Sequence, residues 1–241
     1  MTLEKGGKNI CGVTIGVLSL ESYFPKPPGH IKNPSGLDFT TSYEILEGIT
    51  VPDLLRNPNE CMLQKVIAGA KKLENSGVKA ITGSCGFLAL YQNEIVNNVN
   101  IPVFVSSLIQ LPLIYAMTNS PVGVLTASKS SLTDQHLTAV GAKHVPIITQ
   151  GMDNSSEFAA VILRNERHDM DLVKIADEVI EAGKKIQKQD SSVKAIVLEC
   201  TDMPPYAHYI QSELNLPIFD LTTLASMVAS CVTRTKYSGF L

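Results

Sequence analysis

Two cysteines, Cys85 and Cys200, hold positions from which a thiol can do chemistry. Each follows a short apolar segment and precedes a helix-like one. Each also occupies the same place in a segment that the chain contains twice. Lys79–Ser107, KAITGSCGFLALYQNEIVNNVNIPVFVSS, lies over Lys194–Thr222, KAIVLECTDMPPYAHYIQSELNLPIFDLT, at a constant offset of 115 residues. Nine of the 29 positions are identical, where ordinary composition gives roughly two. They are Lys79/Lys194, Ala80/Ala195, Ile81/Ile196, Cys85/Cys200, Tyr91/Tyr206, Ile95/Ile210, Asn100/Asn215, Pro102/Pro217 and Phe104/Phe219. A second echo joins Gly16-Val17-Leu18-Ser19 to Gly123-Val124-Leu125-Thr126. The chain reads as a duplicated unit with one cysteine per copy.

A thiol between a strand and a helix meets the positive end of the helix dipole and unpaired N–H groups. That setting is expected to lower its pKa below about 8.5 and to favour the thiolate. Two such sulfurs related by a pseudo-two-fold face each other across a cleft. A thiolate on one side of a carbon and a thiol on the other can take a proton from one face and return one to the other, which is two-base racemisation or epimerisation. The turns also offer N–H groups for a carboxylate, from Gly86 and Phe87 or from Thr201 and Asp202. A free cysteine is more often a small buried hydrophobe, and Cys11, Cys61 and Cys231 are read that way. For Cys85 and Cys200 that reading has to explain two matching turns with polar neighbours, Ser84 on one and Thr201-Asp202 on the other.

The elements that position these turns alternate between strand and helix. Lys8–Leu18, Ser42–Leu46, Val78–Thr82 and Pro102–Val105 are the strands of the first half, with helices over 60–75, 87–99 and 107–118. Ser19–Ser35, with four prolines and Gly29, is a long loop at the C-terminal end of the first strand, where α/β folds place function. Val51–Asn59, with Pro52 and Pro58, reads as a loop. Strands at 121–125, 145–148, 193–198 and 216–219 repeat the pattern, with helices at 130–140, 171–187, 201–213 and 222–235; 155–169 has no clear assignment. Alternation of this kind gives parallel sheets with helices on both faces. The expected architecture is two similar doubly wound, Rossmann-like domains with the ligand in the cleft between them. One comprises 1–118 plus 220–241, its closing helix returning from the second half, and the other 119–219.

Composition narrows the function classes. With 44% hydrophobic and 18% charged residues in 241, the chain is ordinary for a globular protein. A net charge of −3 without basic runs gives no reason to expect nucleic acid. Five cysteines without CxxC argue against a disulfide framework or structural zinc and for a reducing cytoplasm. Lys5 and Lys8 before Ile10–Leu20 imitate a signal peptide, but the Gly16–Ser19 echo marks a strand. No run is long enough to span a membrane, and no GxxxxGK[ST] or GxGxxG indicates a nucleotide. His168-Asp169 with Asp171 reads as a helix N-cap region, not a metal site.

The motifs GVLS…GSCGF and GVLT…ECTDMP resemble the aspartate/glutamate racemase superfamily, which also contains hydantoin racemases, arylmalonate decarboxylases and maleate isomerases. The resemblance covers essentially the whole chain. It implies a cofactor-independent isomerase, a homodimer, acting on a small carboxylate with no metal. Cys85 and Cys200 would flank the α-carbon as the two acid/bases. Ser19, Ser84, Gly86, Thr126 and Thr201 would hold the carboxylate or amine, Asp202 or Glu21 would partly substitute for the missing histidine and aspartate that tune the thiols, and Phe87 would add a bulky, less polar wall. Glutamate racemases of cell-wall synthesis carry Asp-Ser, Cys-Asn-Thr and Cys-Thr-His where this chain has Ser19-Leu20-Glu21, Cys85-Gly86-Phe87 and Cys200-Thr201-Asp202, so that specific activity is not expected. The alternatives are maleate-type cis–trans isomerisation through a cysteine adduct and a catalytically degenerate small-molecule binder. Arg56, Arg164, Arg167 and Lys129 are the cations considered for a second carboxylate.

Overall fold

The computed structural model describes Leu3 and residues 6–240; Lys5 lies outside the described residues. Among the described residues, eight strands form two four-stranded, wholly parallel sheets. In the first half these are β1 (Ile15–Glu21), β2 (Thr41–Thr50), β3 (Ala80–Gly83) and β4 (Val103–Phe104), in the order β2-β1-β3-β4. In the second half β5 (Val122–Thr126), β6 (Ile147–Gly151), β7 (Ile196–Leu198) and β8 (Ile218–Phe219) repeat the order as β6-β5-β7-β8. The repeat holds at the level of register. Ile81 pairs with Val103 and Thr82 with Phe104, and Ile196 with Ile218 and Val197 with Phe219, at the same 115-residue offset.

The helices are α1 (Val51–Arg56), α2 (Glu60–Ser76), α3 (Gln92–Val96), α4 (Leu111–Thr118), α5 (Asp134–Ala139), α6 (Leu172–Gln189), α7 (Ala207–Leu214) and α8 (Leu221–Val232). Several expected bounds shift for identifiable reasons. The first strand begins at Ile15 and not Lys8, because Gly12 takes a left-handed φ of 86° and breaks the extended run. The expected loop at 51–59 contains α1. Its Pro52 sits in the first turn, where a missing N–H costs nothing, and Thr50 and Asp53 form a capping box. Residues 159–163, without assignment from sequence, make a fully buried π-helical turn. Asp171 caps α6 by accepting from the Val173 and Lys174 N–H groups.

The halves exchange helices. Leu221, Leu224, Ala225 and Ala229 of α8 pack with Ile15, Val17, Ala80 and Phe104 of the first sheet. Leu111 and Ile114 of α4 pack with Val122, Val124, Ala195 and Val197 of the second. A third cluster runs through the middle and contains Leu18, Phe87 and Cys85 together with Leu125, Phe158 and Cys200. Burial of one continuous apolar core across the junction holds the C-terminal ends of the two sheets together.

Candidate functional site

Both cysteine turns leave the C-terminal ends of central strands, β3 and β7, and begin with the same backbone bond. The Ser84 N–H donates to the Leu18 carbonyl and the Glu199 N–H to the Leu125 carbonyl. The turns are also fastened to each other. Thr201 Oγ1 donates to the Ser84 carbonyl at 2.6 Å, and Ser84 Oγ accepts from the Leu20 N–H at 2.9 Å. Gly86 is obligatory here, because a Cβ would lie 2.1 Å from both the carbonyl oxygen and Oε1 of Glu199. The two sulfurs therefore sit in one buried junction, each 6% exposed.

Burial raises the pKa of both thiols, contrary to the expectation from the helix dipole. Cys85 is followed by two 3-10 turns over 86–91 and the five-residue α3, and the 3-10 turn at 204–206 and then α7 follow Cys200. Such short turns align too few peptide dipoles to offset desolvation. The two environments differ. After burial, Glu199 and Asp202 raise Cys85, while the Phe87 N–H and Lys32 lower it. Cys200 is raised by burial and then by Asp202, Glu199 and Cys85; only the Asp202 N–H opposes them. Each thiol lies in the field of the same two carboxylates, and a lysine offsets that field at Cys85.

The loop at 22–33 closes over this junction. Phe24, His30 and Ile31 are buried, and His30 Nε2 donates to Asp202 Oδ1 at 2.7 Å. Lys32 Nζ donates to the Leu20 carbonyl at 2.7 Å and to Ser22 Oγ at 2.9 Å, and burial lowers its pKa. Burial, then Lys32, pushes Lys26 down to about 8. Glu199 is fully buried, accepts from Thr126 Oγ1 at 2.8 Å through Oε2, and has no hydrogen-bond partner for Oε1 among the described residues. Burial pushes its pKa up to about 7, so near neutrality much of it is a carboxylic acid.

Of the residues expected at the site, Ser84, Gly86, Thr201 and Asp202 lie on the two cysteine turns and Thr126 bonds to Glu199 beside Cys200, and the side chains of Ser84, Thr126, Thr201 and Asp202 are engaged within the protein. Ser19 is buried in β1 beside them. Phe87 packs edge-on against His136, with ring centroids 5.2 Å apart. The cations considered from sequence stand elsewhere. Arg164 pairs with Glu166 and Arg167 with Glu157, Arg56 ends α1 exposed, and Lys129 is exposed with its backbone N–H on Asp153. The charged residues missed were His30, Lys32 and Glu199. Glu199 had a signal: a carboxylate aligned with Ser84, wedged between an apolar strand and a candidate cysteine. His30 and Lys32 had none, since nothing in a proline-rich loop says which way it folds.

No family model matches the chain. Among solved structures it is similar to a sulfate-associated variant of arylmalonate decarboxylase, with a TM-score of 0.63, 11% identity and coverage of 93% of this chain and 97% of that one. The aspartate racemase of Picrophilus torridus follows at 0.54 and 16%, covering 91% and 94%. The glutamate racemase of Francisella tularensis, in complex with D-glutamate, gives 0.56 and 19%, covering 93% and 85%. The chain has the fold of the aspartate/glutamate racemase superfamily.

Sequence relatives point to a different reaction class. Dimethylsulfoniopropionate lyase 5 of Emiliania huxleyi is 28% identical over 237 residues, which is 93% of this chain and 46% of that protein. The corresponding lyase 3 is 28% identical over 241 residues and 61% of its length. The dimethylsulfoniopropionate lyase of Durusdinium sp. clade D is 25% identical over 221 residues, 88% of this chain and 72% of that protein. The chain thus spans about half the length of the first of these relatives and under two thirds of the second. These names overturn the isomerase expectation. A racemase or epimerase, a maleate-type isomerase and a degenerate binder all disagree with relatives named as lyases. No helix among the described residues is long and apolar enough to cross a membrane.

Proposed function

We propose that this chain is a lyase that removes the α-proton of a small carboxylate bearing a sulfonium on its β-carbon and expels the thioether. Dimethylsulfoniopropionate, named in the relatives, is the substrate this reading favours. The carrying observation is the pair of buried thiols on equivalent turns with a lysine beside one of them. The racemase fold and the lyase names meet in their first step. Both reactions begin with a base taking the proton next to a carboxylate. A racemase then returns a proton to the opposite face; a lyase lets a β-substituent leave.

The bonds balance simply. The Cys85 thiolate takes the α-proton and becomes a thiol, and the C–H electron pair becomes the second bond of the acrylate double bond. The C–S pair departs with dimethyl sulfide, which leaves neutral and needs no proton. The zwitterionic substrate gives acrylate, dimethyl sulfide and one proton, which passes from Cys85 to solvent before the next turnover.

Cys85 is the better base of the two. Glu199 and Asp202 disfavour ionisation of both thiols, but at Cys85 they are opposed by the Phe87 N–H and Lys32, and at Cys200 by the Asp202 N–H alone. A bound sulfonium adds a further positive charge and lowers the thiol pKa again. Lys32 has three donors and uses two on Leu20 and Ser22, which leaves one N–H for the substrate carboxylate. No cofactor has a role in this scheme.

The test is to incubate the purified protein with dimethylsulfoniopropionate in D₂O. Equal amounts of dimethyl sulfide in the headspace and acrylate in solution are expected. Deuterium entering the α-carbon with no sulfide released would contradict the lyase reading.

A further inference from the structure

The loop at 22–33 reaches the second half through His30. This side chain is 2% exposed and its Nε2 donates to Asp202 Oδ1 at 2.7 Å. Its Nδ1 accepts from the Lys32 backbone N–H at 2.9 Å, so the ring proton sits on Nε2 and points at the carboxylate. The other carboxylate oxygen, Oδ2, accepts from the Cys200 thiol at 3.4 Å. A second tie lies next to the first, with Thr222 Oγ1 of α8 donating to the Gly29 carbonyl at 2.7 Å. One loop therefore carries both the group that fixes Asp202 and, two residues on, the cation that favours the Cys85 thiolate.

We propose that His30 is a positioning residue. It latches the loop onto the second half and orients Asp202 so that Oδ2 accepts a hydrogen bond from the Cys200 thiol and keeps it protonated, which leaves Cys85, beside Lys32, as the base. The role of Cys85 in this statement rests on the elimination reading; the latch and the Cys200–Asp202 contact do not. Opening the loop withdraws Lys32 from Cys85 and frees the acceptor of Cys200 together, so closure and the division of labour between the thiols are one event. A buried His–Asp pair that only held the halves together would not need its second oxygen on a thiol.

Alkylation without substrate tests the latch. Iodoacetamide labelling read by peptide mass spectrometry has internal standards in Cys11, Cys61 and Cys231, which the structure exposes, contrary to the buried positions expected from sequence. His30→Leu is expected to speed labelling of Cys85 and Cys200 by about tenfold or more as the loop opens. His30→Gln, which keeps an N–H near the Nε2 position, stays close to wild type. Asp202→Asn turns an amide N–H toward Cys200 and raises its labelling rate above that of Cys85. Unchanged rates in both the His30→Leu and Asp202→Asn variants overturn the proposal, and the second variant decides if the first does not fold. On dimethylsulfoniopropionate, His30→Leu should lower kcat by about 10–100-fold, with most of it restored in His30→Gln; an effect confined to KM contradicts positioning. A wild-type protein that releases no sulfide removes the elimination reading, while the labelling rates still judge the latch.

Discussion

The turn at Ser84-Cys85-Gly86 and the turn at Glu199-Cys200-Thr201 leave equivalent strands with equivalent backbone bonds. Around the first sulfur the sequence-adjacent groups are neutral, and a lysine from the loop stands near. Around the second, Glu199 precedes the cysteine and Asp202 follows two residues later, bonded to its thiol. Duplication supplied the geometry for two interchangeable bases, and the charges around them make the bases unequal. A racemase working in both directions needs each thiol to serve in turn as acid and base. An elimination with a neutral leaving group needs one base. The asymmetry is what a lyase built on a racemase frame would tolerate and a racemase would not.

The first way to break this comparison is Cys85→Ala. Loss of the base should lower the rate of dimethyl sulfide release by about 10²–10⁴-fold, measured by headspace gas chromatography, with the fold unchanged by circular dichroism. A residual rate near wild type would move the base elsewhere.

Glu199 sharpens the contrast from the second turn. Burial pushes its folded pKa up to about 7 from an ordinary value of 4.5, so between those values the folded state holds a proton that the unfolded chain has released. Its contribution to stability is therefore greatest below about pH 4.5, falls as pH rises to about 7, and is constant beyond. Glu199→Gln, which cannot ionise, should gain on wild type across that window by at most about 3 kcal/mol. Urea unfolding at several pH values measures it; parallel curves would contradict the assignment.

Lys32→Met tests the first turn with a smaller effect. Removing the cation should raise KM for dimethylsulfoniopropionate by about tenfold, the loss of one charge-assisted bond to its carboxylate, and should move the rising limb of the kcat/KM profile to higher pH. The sign follows from Lys32 favouring the ionised form of Cys85. A limb moving to lower pH would exclude it as that partner.

Much of the architecture is legible in the sequence because the repeat is a long-range signal. Nine identities at one offset carry the strand pairing, the turn positions and the two cysteines, and all of these recur in the register of β3/β4 and β7/β8. Local signals fared less evenly. Pro52 reads as a breaker, yet at the first turn of α1 it starts a helix. The thiols' electrostatics were misread, because a strand–helix boundary on paper says nothing of helix length or of burial, and here burial dominates. His30 and Lys32 were invisible for a different reason. Their importance comes from a loop folding onto the opposite half, 172 residues away at His30–Asp202, and no periodicity records that. The reaction class was misread, since the relatives are named as lyases; under the proposed reading the fate of the carbanion depends on the substrate's own leaving group, which no residue of the chain spells out.

Cys200→Ala tests the central claim most directly, when its turnover is compared with that of Cys85→Ala on dimethylsulfoniopropionate in one experiment. One base suffices if Cys200→Ala still releases dimethyl sulfide and acrylate in equal amounts, at a rate at least about tenfold above Cys85→Ala. Equal loss in both variants would mean that the two thiols act as a pair, and the asymmetry between the turns would not be the basis of the reaction.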